Sequence, residues 1–247
     1  MSEVKLAIHH IKNSFSERWI EYCQQNEIPY KLVDCTKSDI IQQMSDCDGL
    51  MWHWGHSDYR FQLFARQLTL ALEKAGKKVF PNSDSCWHFD DKVGQKYLFE
   101  SIGAPLVDSF VFYTKKEAID WINTTAFPKV FKLRGGASST NVSLVKNKRQ
   151  AKRKVRIAFS RGFPAFSRWA IASDRFRLFL LKKDKTSFNK FIHSILRLFI
   201  PSKDQKLLKR EKGYVYFQEF VPNLDYDIRV EVIGNKCFAI KRFGGKI

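Results

Sequence analysis

The sequence predicts an α/β protein, with a small parallel-sheet unit followed by a larger α+β domain. Three observations carry this. Across residues 1–87 short apolar runs alternate with segments of helical spacing, the rhythm of a parallel sheet. Beyond them, strand-like stretches come in hairpin order around a long basic segment. The 247 residues, 44% of them hydrophobic, are also enough material for one or two packed cores.

Val4 to His9 reads as a buried first strand, followed by a helix with Ser14 or Ser16 near its start and Trp19, Ile20 and Cys23 inward. Tyr30 to Val33 is a second strand, Ile40 to Met44 a short helix, and Gly49 to Trp54 a third strand. Phe61, Phe64, Leu68, Leu72 and Ala75 fall at helical spacing, with Gly76 as the stop. Val79-Phe80 then leads into Pro81-Asn82. Ligands of open α/β sheets lie beyond the carboxyl ends of the strands. The loop Trp52 to Asp58 leaves the third strand there, which makes His53, His56 and Asp58 candidates for a substrate side. The plainer and preferred alternative is that the tryptophans are core and the histidines line a turn.

Asp90-Asp91-Lys92 opens the next helix, with Tyr97, Leu98 and Ile102 on one face and Gly103 closing it. A strand follows at Ser109 to Tyr113. Thr114 then caps a helix over Lys115 to Asn123, with Ala118, Trp121 and Ile122 inward. Next comes Phe127 to Asn141, F-P-K-V-F-K-L-R-G-G-A-S-S-T-N. Its first half alternates basic and apolar residues as a strand does. Its second half has two glycines and three hydroxyl residues, so the backbone can bend and bring N–H groups to an anion. A strand carrying Lys132 and Arg134 into such a loop suits a polyphosphate, although for the glycine pair alone an ordinary tight hairpin with a solvated basic strand is the preferred reading. Val142 to Val145 is the return strand, and Lys148 to Phe159 a very basic helix.

Residues 160–212 interrupt the rhythm. Within them Phe188, Phe191, Ile192, Ile195, Leu196 and Phe199 mark an amphipathic helix, with Lys190, His193 and Arg197 on other faces and Pro201 ending it. Such a helix packs on its own domain or meets an anionic membrane surface or an acidic partner. Strands resume at Tyr214 to Phe220 and Asp227 to Ile233. Gly234-Asn235 makes a tight turn, and Lys236 to Arg242 returns.

Charge sharpens the expectation. The net charge is +18, and the window Lys146 to Lys212 holds 21 Lys/Arg against four acids. Such a patch attracts phosphates, whether of a nucleotide, nucleic acid, lipid or acidic substrate. No apolar run is long enough to span a bilayer. Five scattered cysteines without a C-x-x-C pair argue for a reducing, cytoplasmic setting and against a cysteine zinc site.

Five segments, taken in order, resemble the ATP-grasp superfamily, of the glutathione-synthetase and ribosomal-protein-glutamylase type. They are D-D-K ending at Lys92, V-F-K-L-R-G-G-A-S-S-T-N-V from Val130, Q-E-F-V from Gln218, D-I-R-V-E-V-I-G from Asp227, and A-I-K-R from Ala239. Together they cover residues 88–247, with the unit 1–87 similar to the small domain that precedes ATP-grasp folds. The resemblance implies ATP and Mg2+ as cofactors. Lys92 and Lys132 would contact the phosphates, and the loop Gly135, Gly136, Ala137, Ser138 and Ser139 would close over them. Gln218 and Glu219, with the backbone of Phe220 and Val221, would hold adenine and ribose. Asp227 would face the ribose or the metal-phosphate region, while Arg229 and Arg242 would steady the transferred phosphoryl group or a carboxylate. The plain alternative for Asp227 and Arg229 is cross-strand pairing on a sheet face.

The implied activity is ATP-dependent carboxylate–amine ligation through an acyl phosphate, on a carboxylate and an amine that the resemblance does not identify. Transfer to a hydroxyl, as in a kinase, is compatible with the same residues. In the family a later segment supplies a phosphate-binding arginine, then an acid and a Glu-x-Asn that ligate magnesium, whereas this sequence stops at Phe243-Gly244-Gly245-Lys246-Ile247. The expectation is a truncated two-lobed domain, in preference to a natural short form, that binds nucleotide weakly and turns over little. The contrasting expectation is a non-catalytic basic module for anionic membrane or nucleic acid, the latter less favoured.

Overall fold

The computed structural model describes residues 4–55, 58–135, 141–164, 168–200 and 210–243. Its described residues divide into two compact units, the division falling between Gln95 and Lys96.

The first unit is a parallel sheet with helices. Strands β1 (Leu6–His9), β2 (Tyr30–Val33), β3 (Gly49–Met51) and β4 (Lys78–Phe80) pair in the order β2-β1-β3-β4, every pair parallel. Their connections carry α1 (Phe15–Gln25), α2 (Ile40–Gln43) and α3 (Tyr59–Lys74), after which α4 (Ser83–Cys86) follows β4. The core joins Ala7, Leu50 and Val79 from strands to Phe61, Ala65, Leu68 and Leu72 of α3. Phe61, Leu68 and Leu72 are the helical stripe expected from spacing, with Phe64 partly buried beside them; Ala65 joins the core, while Ala75 is exposed at the helix C-cap. The third strand is shorter than expected and ends at Met51. Trp52 N–H still donates to Phe80 O (2.9 Å), but the chain then turns to bury Trp52 and Trp54.

His9 is a buried polar residue of this unit, with Ser16 and Thr69. Its ring packs edge-on against Trp52 and Phe61, and the Cys35 N–H donates to its Nδ1 (3.0 Å). Burial holds its pKa below the ordinary histidine value, against the opposing pull of Asp34 4.0 Å away.

Helix α5 (Lys92–Ser101) begins where the D-D-K segment predicts, with Asp91 Oδ1 accepting from the N–H groups of Val93 and Gly94 (3.1 and 3.0 Å). Gly103 closes it at positive φ, but Tyr97 and Ile102 are exposed.

The second unit is an antiparallel sheet of β5 (Ser109–Phe112), β6 (Lys129–Lys132), β7 (Val142–Val145) and β8 (Val215–Glu219), in the order β5-β8-β6-β7. Helices α6 (Lys115–Thr124) and α7 (Lys148–Ala158) supply its packing layer. Ala118, Ile122, Ala151, Val155 and Ala158 meet Phe131, Leu133, Val145, Val215 and Phe217 there. Thr114 caps α6 as expected, accepting from Glu117 N–H.

Between α7 and β8 the chain leaves and returns through one narrow base. Phe163 and Glu211 form an isolated antiparallel bridge, and Arg210 donates to the carbonyls of Arg161 and Gly162 (2.6 and 2.7 Å). Gly162 has φ +69°, and a Cβ there would stand 2.7 Å from Glu211 O. Beyond this base lie α8 (Arg168–Lys182) and α9 (Lys185–Phe199), packed on each other through Phe176, Phe179, Phe188 and Phe191. α9 is the amphipathic helix predicted from spacing. α8 is new, because L-F-L-L places apolar residues around the whole helix and leaves no single stripe to read. A separate hairpin, β9 (Tyr226–Ile233) and β10 (Lys236–Phe243), turns at Gly234.

Two outcomes are expected. Because the unfolded chain binds the His9 proton more readily than the folded one, stability should fall as pH drops through about 6.5, by at most about 1.4 kcal/mol per pH unit. His9→Asn, which keeps an acceptor, should flatten that slope in urea titrations above pH 5, the Asp34 and Asp58 carboxylates titrating only at lower pH. Gly162→Ala should cost about 1–3 kcal/mol in the same assay, since strain and overlap add at this position.

Candidate functional site

Side chains alternate along a strand, so residues an odd number apart point to opposite faces. Lys129, Phe131 and Leu133 therefore share the face covered by α6 and α7, while Val130 and Lys132 take the other. On β8, paired with β6 as Lys132↔Tyr216 and Val130↔Gln218, Tyr216 and Gln218 join Lys132. Lys132 Nζ donates to Gln218 Oε1. Gln218 Nε2 in turn donates to Ser109 Oγ (3.0 Å), which also accepts from Tyr216 Oη (2.9 Å). Burial raises the Tyr216 pKa, so the phenol stays a donor at neutral pH. A polar network thus runs across three strands to the end of β6.

That end leads straight into the glycine-rich segment. Arg134 N–H donates to Tyr214 Oη (2.6 Å), and the Tyr214 hydroxyl donates to Glu211 Oε2 (2.8 Å). Burial and the Glu211 carboxylate together raise the Tyr214 pKa far above its ordinary value. At Gly135 no heavy atom lies within 4 Å of where a Cβ would stand, so the loop's first glycine is open to close approach. Gly136, Ala137, Ser138 and Ser139 lie outside the described residues, as does His56.

Glu219 goes elsewhere. It is an odd step from Gln218 and pairs across the sheet with Lys129, whose ammonium donates to Glu219 Oε1 and lies 6.0 Å from the Trp121 ring centroid. Lys129 is only 4% exposed, so this carboxylate answers a buried charge. Phe220 and Val221 follow the strand end, with Val221 exposed.

In the β9–β10 hairpin, Asp227 and Arg242 stand opposite each other and form a bidentate pair (2.8 and 2.7 Å). Arg229 pairs with Glu231 on the same face (3.1 Å). In the first unit Lys92 begins α5, and burial lowers its pKa against the opposing charges of Asp90 and Asp91. His53 packs between Phe15 and Phe89, and Asp58 caps α3 while holding Arg60. These contacts are structural in kind.

Known structures share this fold. An ATP-grasp RimK domain protein from Sphaerobacter thermophilus matches with TM-score 0.55 at 14% identity, over 95% of this chain and 70% of its own. The biotin carboxylase domain of the Hydrogenobacter thermophilus 2-oxoglutarate carboxylase, a complex with MgADP, ADP and bicarbonate, matches with TM-score 0.50 at 10% identity. That match covers 88% of this chain and 44% of the other, so this chain spans less than half of it. The chain has an ATP-grasp fold. No protein-family model matches it, and no curated protein matches it in sequence.

Within the ATP-grasp fold, the described residues bring together Lys132 and Gln218 of the predicted set, and separately Asp227 and Arg242. Sequence inspection missed Lys129, Tyr214 and Ser109. Strand parity could have separated Lys129 from Lys132, since the two are three residues apart. Nothing local could have coupled Tyr214 to Arg134, which lies 80 residues away. Among the described residues no group of three or more His, Cys, Asp or Glu side chains converges.

The Lys129–Glu219 pair is testable by a cycle. Glu219→Ala should destabilise the second unit by about 1–3 kcal/mol in denaturant unfolding, the lower end reflecting the partial exposure of Glu219. Combining Lys129→Met with Glu219→Leu should restore most of that loss.

Proposed function

We propose that this chain binds ATP with Lys132 and Gln218 as side-chain anchors, and that it serves ATP-dependent ligation of a carboxylate to an amine. The single observation that carries this is the placement of Lys132. It lies at the loop end of β6 in an ATP-grasp fold, on the same sheet face as Gln218. An ammonium there neutralises charge on phosphate oxygens, and the segment beginning at Gly135, with Gly136, Ala137, Ser138 and Ser139, supplies backbone N–H donors. The purine edge would be read by the backbone of Glu219, Phe220 and Val221, because the Glu219 side chain is engaged by Lys129.

In this scheme a carboxylate oxygen attacks the γ-phosphorus of ATP and ADP leaves. The amine nitrogen then attacks the acyl carbon of the resulting acyl phosphate, phosphate departs with the bonding electrons, and the nitrogen loses its proton. Arg229 and Arg242 would steady the negative oxygens, with Asp227 orienting Arg242. A magnesium ion would neutralise the phosphates further, but the described residues assign it no ligands.

Calorimetric titration with ATP tests the core of this proposal. Lys132→Ala should weaken binding at least about tenfold, the loss of one charge-assisted contact. Lys190→Ala, in the basic insert, should leave it unchanged. Equal binding of ATP and inorganic polyphosphate, undiminished in Lys132→Ala, would sink the proposal and leave a non-selective basic surface.

A further inference from the structure

We propose that the α8–α9 hairpin docks this protein onto an anionic lipid surface. The proposal stands apart from nucleotide binding and rests on what the hairpin leaves unburied. Its two helices already pack through Phe176, Phe179, Phe188 and Phe191, with Ser187 and Ser194 also turned in. A second apolar stripe then remains on α9: Ile192, Leu196 and Phe199, at i, i+4 and i+7, are all exposed, and Phe188 at its start stays partly exposed beyond its contact with Phe179. Trp169 and Leu181 on α8 are 72% and 74% exposed, and Phe199 is 79% exposed. Because the helices run antiparallel, Trp169 and Phe199 lie at the same end of the hairpin. Leu180, Leu181, Lys182, Lys183 and Lys185 surround its turn at the other end.

Charge selects the occupant. Residues 168–200 hold eight Lys/Arg against two acids, one of which, Asp184, is used as the α9 cap. A stripe of Phe, Ile and Leu on a hairpin this rich in lysine and arginine, with a tryptophan at one end, matches the layers of a lipid interface. The apolar side chains enter the acyl boundary, the indole sits at headgroup depth, and the cations meet lipid phosphates. Nucleic acid would use the cations but has no place for an extended aliphatic stripe. No described helix is long and apolar enough to cross a membrane, so the geometry is that of lying on the surface.

The test is sedimentation of the 247-residue chain with vesicles of phosphatidylcholine alone, or with about one-third phosphatidylglycerol. Partition should be at least about tenfold greater into the anionic vesicles and should fall as salt is raised toward about 0.5 M. Trp169 emission should shift to shorter wavelength on binding, a change absent from Trp169→Phe. Leu181→Glu combined with Phe199→Glu should lower partition at least about tenfold. Both positions are exposed, so circular dichroism and thermal unfolding should match the parent. Failure to partition, or equal partition into both vesicle types, would overturn the proposal. So would undiminished binding by the double variant, which would move the contact to another basic surface such as α7. Self-association of the parent that the double variant loses would assign the stripe to a second copy instead. Preference for a DNA duplex over vesicles, unchanged in the double variant, would also defeat it.

Discussion

The second unit depends on one pairing, β8 against β6. β8 enters the middle of a sheet whose other strands lie more than 60 residues earlier, and it buries Val215 and Phe217 against α6 and α7. An unpaired central position would leave both neighbouring strands with unmet backbone groups, so the ladder and the core form together. The register of that pairing then decides the chemistry of both faces. With Val130 opposite Gln218, Lys132 meets Gln218 and Lys129 meets Glu219. A slip of one residue would exchange the faces and place Phe131 where Lys132 stands.

The same pairing ties the insert to the glycine-rich segment. Tyr214, just before β8, accepts from the Arg134 backbone and donates to Glu211, which itself closes the base of the insert with Phe163. The loop's first turn and the neck of the insert are therefore linked through one phenol. A hydrogen bond to the backbone, unlike a side-chain contact, fixes where the chain begins its departure from the strand.

The excess of positive charge does not act as one body. Lys129 is buried with a carboxylate; Lys132 is held by an amide. Lys154 lies over the Phe131 and Phe163 rings at 5.0 and 5.5 Å from their centroids, its pKa lowered by burial and by Arg153. The cations of α9 instead belong to a helix whose Ile192, Leu196 and Phe199 are exposed. Composition weighs all of these cations alike. Their surroundings give them different work, because the energy of a charge depends on how much water remains around it.

Much of this was legible in the sequence. Period-two and period-3.6 patterns placed the sheet of the first unit, the β6–β7 hairpin, α7, α9 and the β9–β10 hairpin, since those signals need only neighbours in the chain. The glycine-rich segment raised the expectation of an anion loop by residue type alone. Helix α8 was hidden because its apolar residues surround it, and the helix is visible only once α9 supplies a partner. Glu219 was assigned by its place in Q-E-F-V, yet strand alternation turns it to the helix-covered face, where Lys129 claims it. The sequence by itself determined the elements, their order and the charged residue types. Which lysine stands beside Gln218 and which is buried with Glu219 was decided by the tertiary structure, because strand register is set by long-range burial and a side chain's face follows from that register.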